Sequence, residues 1–192
     1  MCKTSAILAS LSARMAREES ARSISARPHA SLKKVLAYRN PDVVERFRNE
    51  YPVTRREAEL IWLDTLRWLW LGATRETDVP LAITVSTAVI DEMWHTFVLF
   101  TKDYFAFCQG HFGRFIHHSP MTHDELLRFR TDFRADRERV TSRIAKERRA
   151  QYELVAERLG VDTLKRWYVD YETKYSPAVL RRLRRRGLAQ AS

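Results

Sequence analysis

Apolar positions recur along most of this chain with the spacing of helices rather than strands. Asn40-Pro41 supplies an N-cap followed by proline in the first helical position, and opens a short amphipathic helix through Val44 and Phe47. Thr54-Arg55-Arg56-Glu57 has the T-x-x-E form of a capping box, in which two side chains satisfy backbone donors of the first turn. The helix it starts carries Leu60, Ile61, Leu63, Leu66, Trp68, Leu69 and Leu71 before Gly72, an apolar width that predicts burial on more than one side. Residues 73–85 read as a loop, because the strand-like triplet Ile83-Thr84-Val85 has no partner. Ser86 or Thr87 then caps a helix running to about Gln109, with Ile90, Met93, Trp94, Phe97, Thr101, Tyr104 and Cys108 on one stripe and Gly110 ending it.

A second T-x-x-E box at Thr122 to Glu125 starts a helix anchored by Leu126, Leu127, Phe129 and Phe133. Only Val140 and Ile144 form an apolar seam between Arg134 and Arg149, so either one long exposed helix or a break near Thr141 follows. Gly160 is the next punctuation. Asp162 caps a short helix bearing Leu164, Trp167 and Tyr168, and Ser176-Pro177 opens a terminal helix ending in Arg181-Arg182-Leu183-Arg184-Arg185-Arg186.

Composition agrees with this pattern. The chain has 192 residues, 45% of them apolar, but only five Gly and six Pro, too few for the frequent tight turns of a sandwich or barrel. The expected fold is all-α: a compact single-domain bundle with a buried central helix and a basic helical C-terminal extension. Three regions follow: a flexible Ser/Ala/Arg-rich leader over residues 1–30, a helical domain over 31–175, and a basic terminal helix or tail over 176–192. The leader reads as a frayed tail, with an organelle-targeting segment as its alternative. No apolar stretch is long enough for a membrane span, and two cysteines, Cys2 and Cys108, make no disulfide framework, so a soluble cytoplasmic protein is expected. The net charge of +10 is carried by the two ends, while the aromatic-rich middle is slightly acidic. The terminal arginines, with Arg143, Lys146, Arg148 and Arg149, could neutralise nucleic-acid phosphates, or serve only as a solvated face.

The middle also holds the chemistry. Five of six histidines, His95, His111, His117, His118 and His123, fall within 29 residues. Asp91 and His95 stand four apart and so project from one face of the predicted helix. From His95 to Gln109 a straight helix advances roughly 21 Å, and eight extended steps from Gly110 to His118 span at most about 26–29 Å, so the loop just returns. In an extended path neighbouring side chains face opposite ways, so one of His117 and His118 meets His95. Two imidazoles and a carboxylate form the ligand set of open sites for a divalent ion such as Fe or Zn, which activates water or dioxygen. Asp91 could equally cap its helix or hydrogen-bond His95 in a structural network. Glu92, three residues before His95, reads first as a solvated acid at the helix start, with a ligand role as the alternative. His111 and His123 read as a loop and a first-turn residue. Asp64 could support a ligand histidine or pair with Arg67, and Cys108 reads as a buried small hydrophobe.

The words Ile90-Asp91-Glu92-Met93-Trp94-His95-Thr96-Phe97, then Tyr104, Phe107-Cys108 and Phe112-Gly113-Arg114-Phe115-Ile116-His117-His118-Ser119-Pro120, resemble the bacterial glycine-rich domain-containing protein-like family over about residues 54–120. The resemblance implies a shared site without a settled reaction. Related sequences carry histidine where this chain has Phe97, which removes one ligand, and the glycine-rich segment of the family name is missing. Two functions follow: a metal-dependent enzyme acting on an unidentified small molecule, or a non-catalytic interaction module. In the second, an Asp-His network pins the loop and the basic ends bind nucleic acid or a protein.

Overall fold

The computed structural model describes residues 30–75 and 81–190. The expected leader, with its targeting alternative, lies outside the described residues except for Ala30. The all-α expectation holds among the described residues. The elements are α1 (Leu32–Leu36), α2 (Pro41–Glu50), α3 (Arg55–Thr74), α4 (Ala88–Leu99), α5 (Thr101–Phe112), α6 (His123–Ala135), α7 (Arg137–Leu159), α8 (Val161–Lys165), α9 (Tyr171–Lys174) and α10 (Pro177–Gln190). A 3-10 turn at Val85–Thr87 precedes α4, and a π turn at Arg166–Asp170 joins α8 to α9.

The starts were legible from capping chemistry. Asn40 accepts from the Val43 amide with Pro41 behind it, and the boxes at Thr54 and Thr122 are both closed by their glutamates. Most of the broad apolar surface of α3 is buried, with Leu60 left exposed and Leu63 half-buried. Ala58, Ile61, Trp62, Leu66, Trp68, Leu69 and Leu71 are buried, and α1, α2, α4 and α7 pack around them. Gly72 does not end this helix, which continues to Thr74.

The largest departure lies at Phe100. Instead of one helix to about Gln109, α4 ends at Leu99 and α5 begins at Thr101, with Phe100 outside the helical region at ψ 63°. The break is what closes the core. Phe97 and Phe107, ten positions apart, would lie roughly 15 Å apart along a straight helix, yet their rings meet at 5.4 Å. Tyr104 likewise packs edge-on against Phe97 at 5.0 Å. Helix α5 runs past Gly110 and stops at Gly113, whose φ of 65° is the left-handed cap that glycine adopts without strain.

In the C-terminal half, Asp136 breaks the chain between α6 and α7 by accepting from the Arg139 amide, so the break falls before Thr141. Leu126, Leu127, Phe129 and Phe133 do not anchor α6: none of its residues is buried. Gly160 at φ 88°, rather than Asp162, precedes α8. The terminal helix α10 packs on α2, burying Leu180, and Arg184 pairs with Glu50 at 2.7 Å. A Cβ on Gly187 would fall 2.6 Å from the Asn49 carbonyl oxygen, so glycine permits this approach of the two helices.

Candidate metal centre

Asp91 and His95 occupy the first and second turns of α4, and one helical turn places their side chains on the same face. His118 arrives from the loop after α5. Its Nε2 lies 2.8 Å from Asp91 Oδ1, while His95 Nε2 lies 3.9 Å from Asp91 Oδ2. The two imidazole rings are 4.4 Å apart. One donor atom from each of Asp91, His95 and His118 falls within 4.8 Å of the others. His117 is not one of the three grouped donors: it is exposed on the border of the same cleft and its ring rests against Phe115 at 5.0 Å. The expected alternation of the two neighbours is therefore resolved, with His118 inward.

The kink at Phe100 shortens the return path of the loop. Tyr104 lies on α5 close to α4, accepts from Trp94 Nε1 at 3.0 Å, and donates its own hydroxyl proton to the Ile116 carbonyl two residues before His118. The Trp94 ring then meets His118 edge-on at 4.2 Å. Burial pushes the Tyr104 hydroxyl above its ordinary range, so it stays a neutral donor. Cys108 is fully buried in this wall, and burial raises its thiol as well, which fits a packing residue rather than a ligand.

Glu92 lies behind His95, with Oε2 3.7 Å from His95 Nδ1. That oxygen accepts from the Tyr51 hydroxyl at 2.7 Å. At 3.7 Å the carboxylate and the imidazole are beyond hydrogen-bond distance, so Glu92 stands near the far nitrogen of His95 without holding it. His111, by contrast, stacks on Phe107 at 4.7 Å, and burial lowers its pKa. His123 is the first residue of α6 and exposed. Asp64 takes no part in the centre. It is fully buried and paired with Arg67 and with Arg166, a partner 102 residues away.

The donor set fits a divalent ion. Zn–N and Zn–O bonds of about 2.0–2.1 Å put tetrahedral donors roughly 3.3 Å apart, so the His118–Asp91 contact of 2.8 Å would have to open and His95 Nε2, 3.9 Å from Asp91 Oδ2, would have to move in. His95, with its side chain 51% exposed, has the freedom to do so. A cleft of about 540 Å³ opens over the same residues.

Fold and centre together define a helical protein with a two-histidine, one-carboxylate cluster at the edge of an aromatic core. A family model described as UCP032817-like matches residues 31–147, and the chain belongs to that family. No curated protein and no solved structure matches it. The family match corrects the resemblance to the glycine-rich domain-containing protein-like family. Phe97, the position that departed from that pattern, is a fully buried core ring against Trp62 at 4.8 Å. Among the described residues, no helix is long and apolar enough to cross a membrane.

Proposed function

We propose that Asp91, His95 and His118 bind a divalent ion, zinc or ferrous iron, and that the centre serves a metal-dependent reaction on a small molecule. The observation that carries this reading is the convergence of three donors of the right chemistry within 4.8 Å of one another beside an open cleft. Three protein ligands leave coordination positions for water or substrate, and an ion so held acidifies its water or engages dioxygen. Glu92, which accepts from Tyr51, would orient His95 from behind by closing from 3.7 Å to hydrogen-bond distance, and the Trp94–Tyr104–Ile116 chain holds the His118 loop in register.

The 2.8 Å contact between His118 and Asp91 supports a second reading, in which the pair is a structural latch that pins the loop to α4. Elemental analysis of untagged protein separates the two. The metal reading expects near-stoichiometric zinc or iron that is lost in His95→Ala. Metal-free protein whose unfolding is indifferent to a chelator supports the latch.

The terminal helix supports an additional contact of its own. Arg181, Arg182, Arg185 and Arg186 are exposed on α10, while Leu180 and Gly187 face α2. We propose salt-sensitive, sequence-independent binding of nucleic-acid phosphates along this face. Retention on a DNA column should fall with added salt and fall further in an Arg182→Gln/Arg185→Gln/Arg186→Gln variant. Retention that ignores both removes the proposal.

A further inference from the structure

From the walls of the cleft over Asp91, His95 and His118 we infer the class of molecule this centre takes: a small molecule with an apolar, ring-sized body and one oxygen-bearing head group that reaches the ion. The inference rests on the metal reading above.

Three separate stretches of chain build the cleft. Trp68 and Leu69 of α3 are almost fully buried in the protein yet contribute to its surface, so its floor is the aromatic core itself. Leu81 and Ile83, before the 3-10 turn, and Ile116, in the returning loop, supply further apolar walls. The volume of about 540 Å³ lies within the range of small-molecule sites and far exceeds what a bare ion and its waters need. A sugar or another polyhydroxylated molecule could pair some of its hydroxyls with the polar side of the cleft, but would press the rest against Leu69, Leu81, Ile83 and Ile116, whose side chains offer no hydrogen-bond partner. An apolar body gains by leaving water against the same walls. The polar side chains that remain are the donor cluster with its neighbours His117 and Ser119, and Arg75, which is exposed. A single hydroxyl, carbonyl or carboxylate directed at the ion satisfies that cluster, while the body lies over Trp68 and Leu69.

Two hydroxamates with the same metal-binding head group and different bodies test this on the full-length, zinc-loaded protein. Affinities are read by calorimetry and by the fluorescence of Trp68 and Trp94, which both border the cleft. Benzohydroxamate should bind roughly tenfold tighter than acetohydroxamate, because its ring is buried where the methyl group leaves the cleft empty. The advantage should vanish in Ile83→Asp while zinc is retained. Met121→Asp, at an exposed position on the rim, gives the same readout should the first variant fail to fold. Equal affinities for the two probes on zinc-bearing wild-type protein overturn the inference and leave the metal reading intact. Benzohydroxamate binding that is equally tight without zinc also overturns it. Wild-type protein that takes up no zinc overturns the metal reading, and this inference with it.

Discussion

Two aspartates on neighbouring helices illustrate opposite uses of the same side chain. Asp64, in the middle of α3, has no exposed surface. It accepts a two-pronged contact from Arg166 at 2.7 and 2.8 Å, a third bond from Arg67 at 2.9 Å and a fourth from the Tyr171 hydroxyl at 2.7 Å. A carboxylate has about four lone-pair positions, and here all are taken by groups of the fold. Asp91, in the first turn of α4, keeps 22% of its side chain exposed and meets the imidazoles of His118 and His95. Two permanent cations commit Asp64 to structure. Around Asp91 the neighbours are imidazoles instead of guanidinium groups, and one ring nitrogen of each lies within 4.8 Å of the carboxylate and of the other.

The sharpest way to break this contrast is Asp64→Ala. It leaves two partly buried guanidinium groups and a buried hydroxyl without their acceptor, so stability should fall by about 3 kcal/mol in urea denaturation. Zinc affinity of the folded fraction should be unchanged; a parallel loss of zinc would show that the two carboxylates act as one unit. Glu92→Gln should do the reverse. It should weaken zinc binding by about 10–100-fold, measured by competition with a fluorescent chelator, with little change in stability. An unaltered affinity would remove Glu92 and Tyr51 from the centre.

Tyr171→Phe should have the smallest effect, a loss of about 1 kcal/mol at neutral pH, with zinc binding intact. Burial, then the adjacent Asp64 charge, pushes the Tyr171 hydroxyl well above its ordinary value of 10.0. A group raised in the folded state supports folding fully below its unfolded pKa, and that support is lost as pH rises, because the unfolded chain ionises first. Wild-type stability should therefore decline above about pH 10, and less steeply in Tyr171→Phe. An equal slope in both assigns the decline to Tyr51, Tyr104, Tyr168 and Tyr175, which are raised as well.

How far the sequence reaches is itself set by the range of the forces involved. Caps are local, so Asn40, Thr54, Thr122 and Ser176-Pro177 located four helix starts from a few residues each. The i, i+4 relation of Asp91 and His95 is equally local and survives unchanged in the structure. Phe100 is different: neither proline nor glycine marks it, and the break is imposed by the packing of Phe97 on Tyr104 and Phe107. A straight helix made the return of His118 barely reachable; the kink makes it short. The partners of Asp64 were half legible. Arg67 stands one turn away, and a buried carboxylate signals that a cation is owed, but nothing nearby names Arg166.

Arg166 reaches Asp64 together with Tyr171 through a local rearrangement of its own. Five positions apart, the two would point in divergent directions on an α-helix. The π turn, whose Tyr171 amide bonds back to the Arg166 carbonyl, swings both onto one face. Choosing His118 over His117 needed the third dimension for a similar reason: the Tyr104–Ile116 bond fixes the loop's rotation from a different helix.

Thermal unfolding with and without zinc, in wild-type protein and in Asp91→Ala, tests the central claim most directly. An ion that binds only the folded chain at about 100 times its Kd adds roughly 2.7 kcal/mol, which for a chain of this size raises Tm by about 5–10 °C. The expected result is that rise in wild-type protein and its absence in Asp91→Ala, with the two metal-free proteins unfolding at similar temperatures. No rise in wild-type protein, or the same rise in both, would contradict a metal centre at Asp91, His95 and His118.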